Sequence, residues 1–373
     1  MYVPDRPRFR PTWLVSGRST TPSWLTDERW LPAGNHELYA RASAGLYAAL
    51  GRLDPPSGPA LLPAYVPRAV VRAFRSREYE IAYYPVTADL TLPAAAVAER
   101  IEALEPAAVV FVDYFGFRDE ALPALAERAR AVGAKVVEDC ARGAFSRDPD
   151  GEPLGSTGDL AIYSLHKTLP VPNGGLVVAR DIDLPAPDGS VPERRDVLTS
   201  GVDRALSRLG IPPAVLVGCS EPERSAVTVS GGPDRSDERF RIRRPGRATI
   251  RGLDRCDPAR IQSRRLDAYR DLRRLVGRVD GVDLLTPTAH EDACPFGLAI
   301  SGPGREWRDA LYRRLRRAGV PIKVYQWPPL SPAAASDGAQ RLRNCACVVP
   351  THRAFPPAAR RRLTRALERV PGD

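Results

Sequence analysis

From residue 60 to residue 179 the sequence alternates short apolar runs with stretches whose apolar residues recur at helical spacing. The runs Ala60–Ala64, Glu80–Tyr84, Ala108–Asp113, Lys135–Glu138, Leu160–Ser164 and Gly175–Ala179 predict strands. The intervening 66–76, 95–104 and 119–132 predict helices, the last closed by Gly133. Strands that are apolar throughout need cover on both faces, so the alternation specifies an α/β fold with a mostly parallel sheet. A chain of 373 residues is long enough for two lobes. Residues 1–35, rich in Pro, Arg and Trp, read as an N-terminal arm, 36–245 as the large domain and 246–373 as a smaller α+β C-terminal domain. In the smaller part a long helix is expected over Asp257–Gly277, with further helices at 305–318 and 357–369 and strands at Gly297–Ser301 and Ile322–Tyr325. The Pro, Gly, Ser and Asp-rich stretch 181–245 lacks periodicity and reads as a linker or a set of active-site loops.

Of 55 basic residues only three are lysine: Lys135, Lys167 and Lys323. In a chain so averse to lysine, one placed in a loop directly after a predicted strand is informative, because arginine cannot lose its proton and attack a carbonyl. Lys167 is that residue, in Ile162-Tyr163-Ser164-Leu165-His166-Lys167-Thr168, with Gly174-Gly175 closing the loop. Asp139 lies 28 residues upstream, at the end of the run Val136-Val137-Glu138-Asp139. An amine and a carboxylate at the carboxyl ends of neighbouring parallel strands suit pyridoxal phosphate (PLP), whose aldehyde needs the amine and whose ring nitrogen needs the acid. Ser164 is close enough in sequence to reach the phosphate. Ala42 and Ser43 open a predicted helix, where free N–H groups favour an anion. Taken singly each of these residues is ordinary: a surface lysine, an aspartate capping a turn, a structural His166, a helix-capping serine. Their order along one chain gives them their meaning.

That order resembles the DegT/DnrJ/EryC1/StrS aminotransferases. The resemblance is carried by Val137-Glu138-Asp139-Cys140-Ala141, by Gly155-Ser156-Thr157-Gly158-Asp159-Leu160-Ala161-Ile162-Tyr163-Ser164-Leu165-His166-Lys167, and by Gly174-Gly175. Weaker echoes are Leu62-Pro63-Ala64-Tyr65, Phe111-Val112-Asp113-Tyr114-Phe115-Gly116 and Val349-Pro350-Thr351-His352. The resemblance implies a PLP-dependent transferase of fold type I, with Lys167 as the lysine that takes the aldehyde and Asp139 as the partner of the pyridine nitrogen. Ser164 and the Ala42-Ser43 backbone would hold the phosphate, and Tyr65 is the candidate to lie on the ring. It also implies a homodimer with a shared active site, glutamate as amino donor, and a keto acceptor such as a nucleotide-linked keto sugar or a natural-product intermediate. Three departures stand out. Lys167 follows Ser164 by three residues where many members have five, Ala42 replaces a common Gly, and Arg142 stands where a Gln or His is usual. Arg142 could contact the cofactor's phenolic oxygen or a substrate carboxylate.

Two rival functions share the residues: another PLP reaction on an amino acid (elimination, decarboxylation or carbon–carbon bond formation), and a non-catalytic PLP-fold binding protein. The net charge of +10 comes from dispersed arginine, and its clusters at 239–244 and 313–317 lack the interleaved aromatics of a nucleic-acid platform, so no nucleic-acid partner is expected. No apolar run reaches membrane-spanning length, and the start lacks a signal-peptide core, so a cytoplasmic protein without membrane contact is expected. The six scattered cysteines read as reduced core thiols, and no metal is expected.

Overall fold

The computed structural model describes residues 3, 7, 22–54, 56–193, 198, 240–327, 329 and 336–369. Seven strands form the main sheet: β1 (Asn35–Tyr39), β2 (Ala60–Pro63), β3 (Ile81–Tyr84), β4 (Ala108–Val112), β5 (Lys135–Asp139), β6 (Leu160–Tyr163) and β7 (Gly175–Ala179). Their spatial order is β1-β7-β6-β5-β4-β2-β3. The pairs β3/β2, β2/β4, β4/β5 and β5/β6 are parallel, while β7 runs antiparallel to both β6 and β1. The carboxyl ends of β1, β2, β4, β5 and β6 therefore all reach one edge, where ligands bind in open α/β sheets. The central strands are buried at every position of β2, β4, β6 and β7, as their unbroken apolar runs require.

The six predicted strands of this sheet are present within two residues at each end. β1 was not foreseen, because Asn35-His36-Glu37 gives it no apolar run; its place comes from its pairing with β7. Helices α1 (Ala42–Leu50), α2 (Arg68–Arg75), α3 (Ala94–Leu104), α4 (Leu122–Ala131) and the single turn α5 (Leu165–Thr168) complete this part. Gly175 lets β7 touch the start of α1: a Cβ there would lie 2.1 Å from the Ala42 nitrogen.

Beyond the main sheet, α6 (Arg247–Asp254) and α7 (Pro258–Val276) lead into strands β8 (Asp283–Leu284), β9 (Gly297–Ser301) and β10 (Ala346–Pro350), with α8 (Arg305–Arg317), α9 (Asp337–Cys345) and α10 (Pro357–Glu368). The three strands form an antiparallel sheet of order β10-β9-β8 with its own apolar cluster. A strand was expected over Ile322–Tyr325, but only an isolated bridge between Lys323 and Val348 forms there. The long helix appears as α7, opened by Pro258 and capped by the Asp257 carboxylate, which accepts the Arg260 N–H at 3.0 Å.

A third cluster gathers Trp24, Leu25, Trp30, Leu31, Phe145, Tyr163 and Leu253; within it Trp24 meets Phe145 edge to face and donates its indole N–H to Leu253 O. Four described cysteines are buried and Cys256 is half-buried; Cys219 lies outside the described residues.

Helix α7 also carries Arg265, whose side chain is fully buried. It donates to Thr168 O at 2.9 Å, to Pro295 O at 3.3 Å and to Phe296 O at 3.4 Å. One guanidinium thus ties the residue after Lys167 to the segment entering β9. Arg265→Met is expected to cost about 2–4 kcal/mol, since three buried carbonyls lose their donor. Urea unfolding checks this against Arg264→Met on the exposed face of the same helix, and equal midpoints for the two variants would contradict it.

Candidate active site

Lys167 occupies α5, directly after the carboxyl end of β6, and its backbone N–H donates to Ser164 O at 2.9 Å. The residue is half-buried, yet its amine lies deep enough that desolvation lowers its proton affinity, bringing its pKa to about 7. The Arg142 charge pushes in the same direction and Lys323 adds a smaller push, while Asp139 opposes both. Asp139, 2% exposed, ends β5, and its Oδ1 accepts the Ala141 N–H at 3.0 Å. The pairing of β5 with β6 thus brings Asp139, at the end of one strand, and Lys167, in the turn after the other, to one edge, with Arg142 beside them.

Ser164 is buried at the N-terminus of α5. Ala42 and Ser43 start α1, whose N-cap Arg41 gives no side-chain cap, so the first N–H groups of this helix stay available to an anion. Gly174 and Gly175 close the lysine loop against that helix start, with the Gly174 N–H donating to Ala40 O at 3.0 Å. Asn173 fixes the loop from the other side, through Glu193 at 3.0 Å and Thr249 at 3.0 Å. Glu193 also accepts the Ala248 and Thr249 N–H groups and so caps α6. His166 is half-buried and lies 3.4 Å from Gly174 O through Nδ1.

Tyr65 follows β2, is buried, and donates its hydroxyl to Tyr325 O at 2.5 Å. Burial pushes its phenol pKa up. Its ring lies 4.5 Å from Trp327 and 5.8 Å from Tyr114. Arg142, 8% exposed, faces four aromatic rings: its guanidinium carbon is 4.3 Å from the centroid of Tyr325, 5.0 Å from Trp327, 5.5 Å from Phe296 and 5.8 Å from Phe115. Sequence reasoning missed Lys323, Tyr325, Trp327, Phe296 and Glu193 as parts of this site. The one signal available for Lys323 was the scarcity of lysine itself.

Next to the site Asp113, Glu138 and Cys140 bring potential ligand atoms within 4.8 Å of one another. They are already engaged: Cys140 Sγ donates to Asp113 at 2.9 Å, and Glu138 accepts the N–H groups of Gly155 at 3.2 Å and Gly158 at 2.6 Å. Burial and the neighbouring Glu138 carboxylate push Asp113 well above the usual carboxylate range, so the group reads as a hydrogen-bonded anchor for the 155–158 turn. A 550 Å³ cleft beside Tyr269, Arg273 and Gly277 shares no residue with the site.

The residues fit PLP. A lysine amine freed of its proton near neutrality stands beside a buried carboxylate, helix N–H groups and a serine lie at the same sheet edge, and the Arg142 Nε is buried without an acceptor.

The fold is shared with solved aminotransferases over nearly the whole chain. TlmJ from Streptoalloteichus hindustanus is 21% identical with a TM-score of 0.70, the match covering 99% of this chain and 98% of that one. Helicobacter pylori PseC, an aminotransferase involved in the biosynthesis of pseudoaminic acid, is 12% identical with a TM-score of 0.71 over 99% and 98%. The sugar aminotransferase CalS13 from Micromonospora echinospora is 19% identical with a TM-score of 0.64 over 99% of both chains. No curated protein sequence matches. The fold is that of the PLP-dependent transferases of type I. Residues 70–186 match the model of the DegT/DnrJ/EryC1/StrS aminotransferase family. Among the described residues no helix is long and apolar enough to cross a membrane.

Proposed function

We propose that the chain binds PLP at the sheet edge around Lys167 and transfers an amino group from glutamate to a keto acceptor, a nucleotide-linked keto sugar or a natural-product intermediate. The observation that carries this reading is the placement of Lys167 just after β6 beside the buried Asp139 at the end of the adjacent β5; burial and the Arg142 charge lower the amine's pKa to about 7 against the pull of the Asp139 carboxylate. Bound PLP supplies an aldehyde that takes up the amine and a ring that accepts electrons. Lys167 Nζ, with a pKa of about 7 and so partly unprotonated at neutral pH, would hold the aldehyde carbon, its oxygen leaving as water, and would move a proton to and from the substrate carbon. Asp139 holds a proton on the ring nitrogen. The N–H groups of Ala42 and Ser43 and the Ser164 hydroxyl would hold the phosphate, and Tyr65 would supply the flat group against the ring. A homodimer with a shared site, working in the cytoplasm, is part of the same proposal.

The similarity to the sugar aminotransferase CalS13 supports a sugar acceptor. The test is release of 2-oxoglutarate from glutamate by the PLP-loaded protein in the presence of keto-sugar nucleotides. Turnover with at least one of them is expected. Consumption of glutamate without formation of any 2-oxoglutarate would refute transamination.

A further inference from the structure

Lys323 is the third of only three lysines and has no part in the reading above. Its backbone is pinned to β10 in both directions: the Lys323 N–H donates to Val348 O at 2.9 Å, and the Val348 N–H returns to Lys323 O at 2.8 Å. This anchoring aims the side chain at Phe296, with the ammonium 5.4 Å from the ring centroid. The guanidinium carbon of Arg142 lies 5.5 Å from the same centroid. One cation from beside β5 and one from beside β10 thus share an aromatic ring, and both act on the Lys167 amine.

Neither cation has an acidic partner or hydrogen-bond acceptor for its side chain among the described residues, and the Arg142 Nε is fully buried. Aromatic faces orient a cation without neutralising it. Asp139 is the acid that acts on Lys167, and it stands against two positive charges. A buried guanidinium lacking an acceptor is costly unless a ligand supplies the anion. The enclosure is also maintained against strain, since Phe115 and Trp327, two of the rings facing Arg142, hold left-handed backbone (φ 59° and 30°).

We infer that Arg142 and Lys323 form a two-cation carboxylate site facing Lys167, through which the enzyme recognises the carboxylate of its amino donor. This rests on the PLP reading. Two anions then have to be placed, the cofactor's phosphate and the substrate's carboxylate. The first has the N–H groups at the start of α1, at the far side of the Gly174-Gly175 turn. The second is left to the cations beside the amine, and a planar guanidinium suits a carboxylate's two oxygens.

The experiment uses PLP-loaded protein and glutarate, which has the carboxylates of glutamate but no amine to react. The near-violet absorption band of lysine-bound PLP is followed against pH with and without glutarate, for wild type, Lys323→Met, Arg142→Met, Lys323→Arg and Arg142→Lys. In wild type, saturating glutarate should raise the apparent pKa of the band by about one pH unit, because a bound anion favours the protonated linkage. The two methionine variants should start from a raised pKa and respond weakly, while the charge-keeping variants respond as wild type does. The KM for glutamate should rise about 10- to 100-fold in Lys323→Met with a smaller change in kcat. An unresponsive wild type, a glutarate shift that persists in both methionine variants, or an unchanged KM overturns the carboxylate site. Failure of borohydride to fix PLP on Lys167 is a separate result, which overturns the parent reading and this inference together.

Discussion

Replacing Lys167 with methionine is expected to lower amine transfer by about 10³-fold or more and, in the same protein, to make the apo form more stable. The first effect follows from losing the one amine at the sheet edge that can be neutral near pH 7. The second follows from linkage. In the unfolded chain the amine binds its proton up to its ordinary value of 10.5, and in the folded chain only up to about 7. Between these values the unfolded state holds more protons, so wild-type stability rises with pH by up to about 1.4 kcal/mol per unit. Methionine does not titrate. The advantage of Lys167→Met should therefore be largest at pH 7 and below and shrink as pH climbs towards 10.5. Chemical denaturation of the two apoproteins at pH 6, 8 and 9.5 measures it. A gap that stays constant across this range would mean that the amine keeps its ordinary proton affinity in the fold. Lost activity combined with gained stability is the mark of a residue held for chemistry at the expense of the fold.

How much of this could be read in the sequence depends on how local the cause is. The strands β2, β4, β6 and β7 were legible because each is buried at every position and so written as an apolar run, as in Ala108-Val109-Val110-Phe111-Val112, and the shorter apolar stretches Ile81–Tyr84 and Val136-Val137 sufficed for β3 and β5. Strand β1 was not, because Asn35-His36-Glu37 acquires its place from a partner about 140 residues away, and the apolar Ile322–Tyr325 promised a full strand where only the bridge from Lys323 to Val348 forms. The same division runs through the site. Lys167, Asp139 and Ser164 sit at strand ends in one continuous α/β stretch, and their spacing shows them. Arg265 hides on the buried face of α7, where an arginine in an arginine-rich helix looks solvated, and only the fold reveals the carbonyls of Thr168, Pro295 and Phe296 around it. Lys323, Tyr325 and Trp327 reach the site from the irregular segment bridged to β10, across a distance in sequence that no motif spans. Arg142 was visible as a departure from the family pattern, but the four rings around it were not. The clusters at 239–244 and 313–317 show the converse: Arg241, Arg244, Arg314 and Arg317 are exposed, as a solvated reading expects.

Asp139→Asn should leave the architecture intact and damage the chemistry. The carboxylate is buried, and its Oδ1 accepts the Ala141 N–H at 3.0 Å, a bond that the asparagine carbonyl can make equally well. What asparagine cannot do is hold a proton on a ring nitrogen by charge, so the cofactor loses much of its capacity to accept electrons. Turnover is expected to fall by about 10²- to 10⁴-fold, while borohydride still fixes PLP on Lys167, because the amine keeps its position on α5. Removing the negative charge also removes the influence that raises the proton affinity of Lys167 against the downward pushes of burial, Arg142 and Lys323. The amine of the apoprotein variant should therefore titrate below its wild-type value of about 7. A PLP analogue methylated at the ring nitrogen carries the positive charge permanently, so it should restore part of the lost turnover if Asp139 acts on that nitrogen. If the analogue restores nothing while PLP binding stays intact, Asp139 works by positioning its neighbours through the Ala141 bond, and the electron-accepting role must be sought in another group.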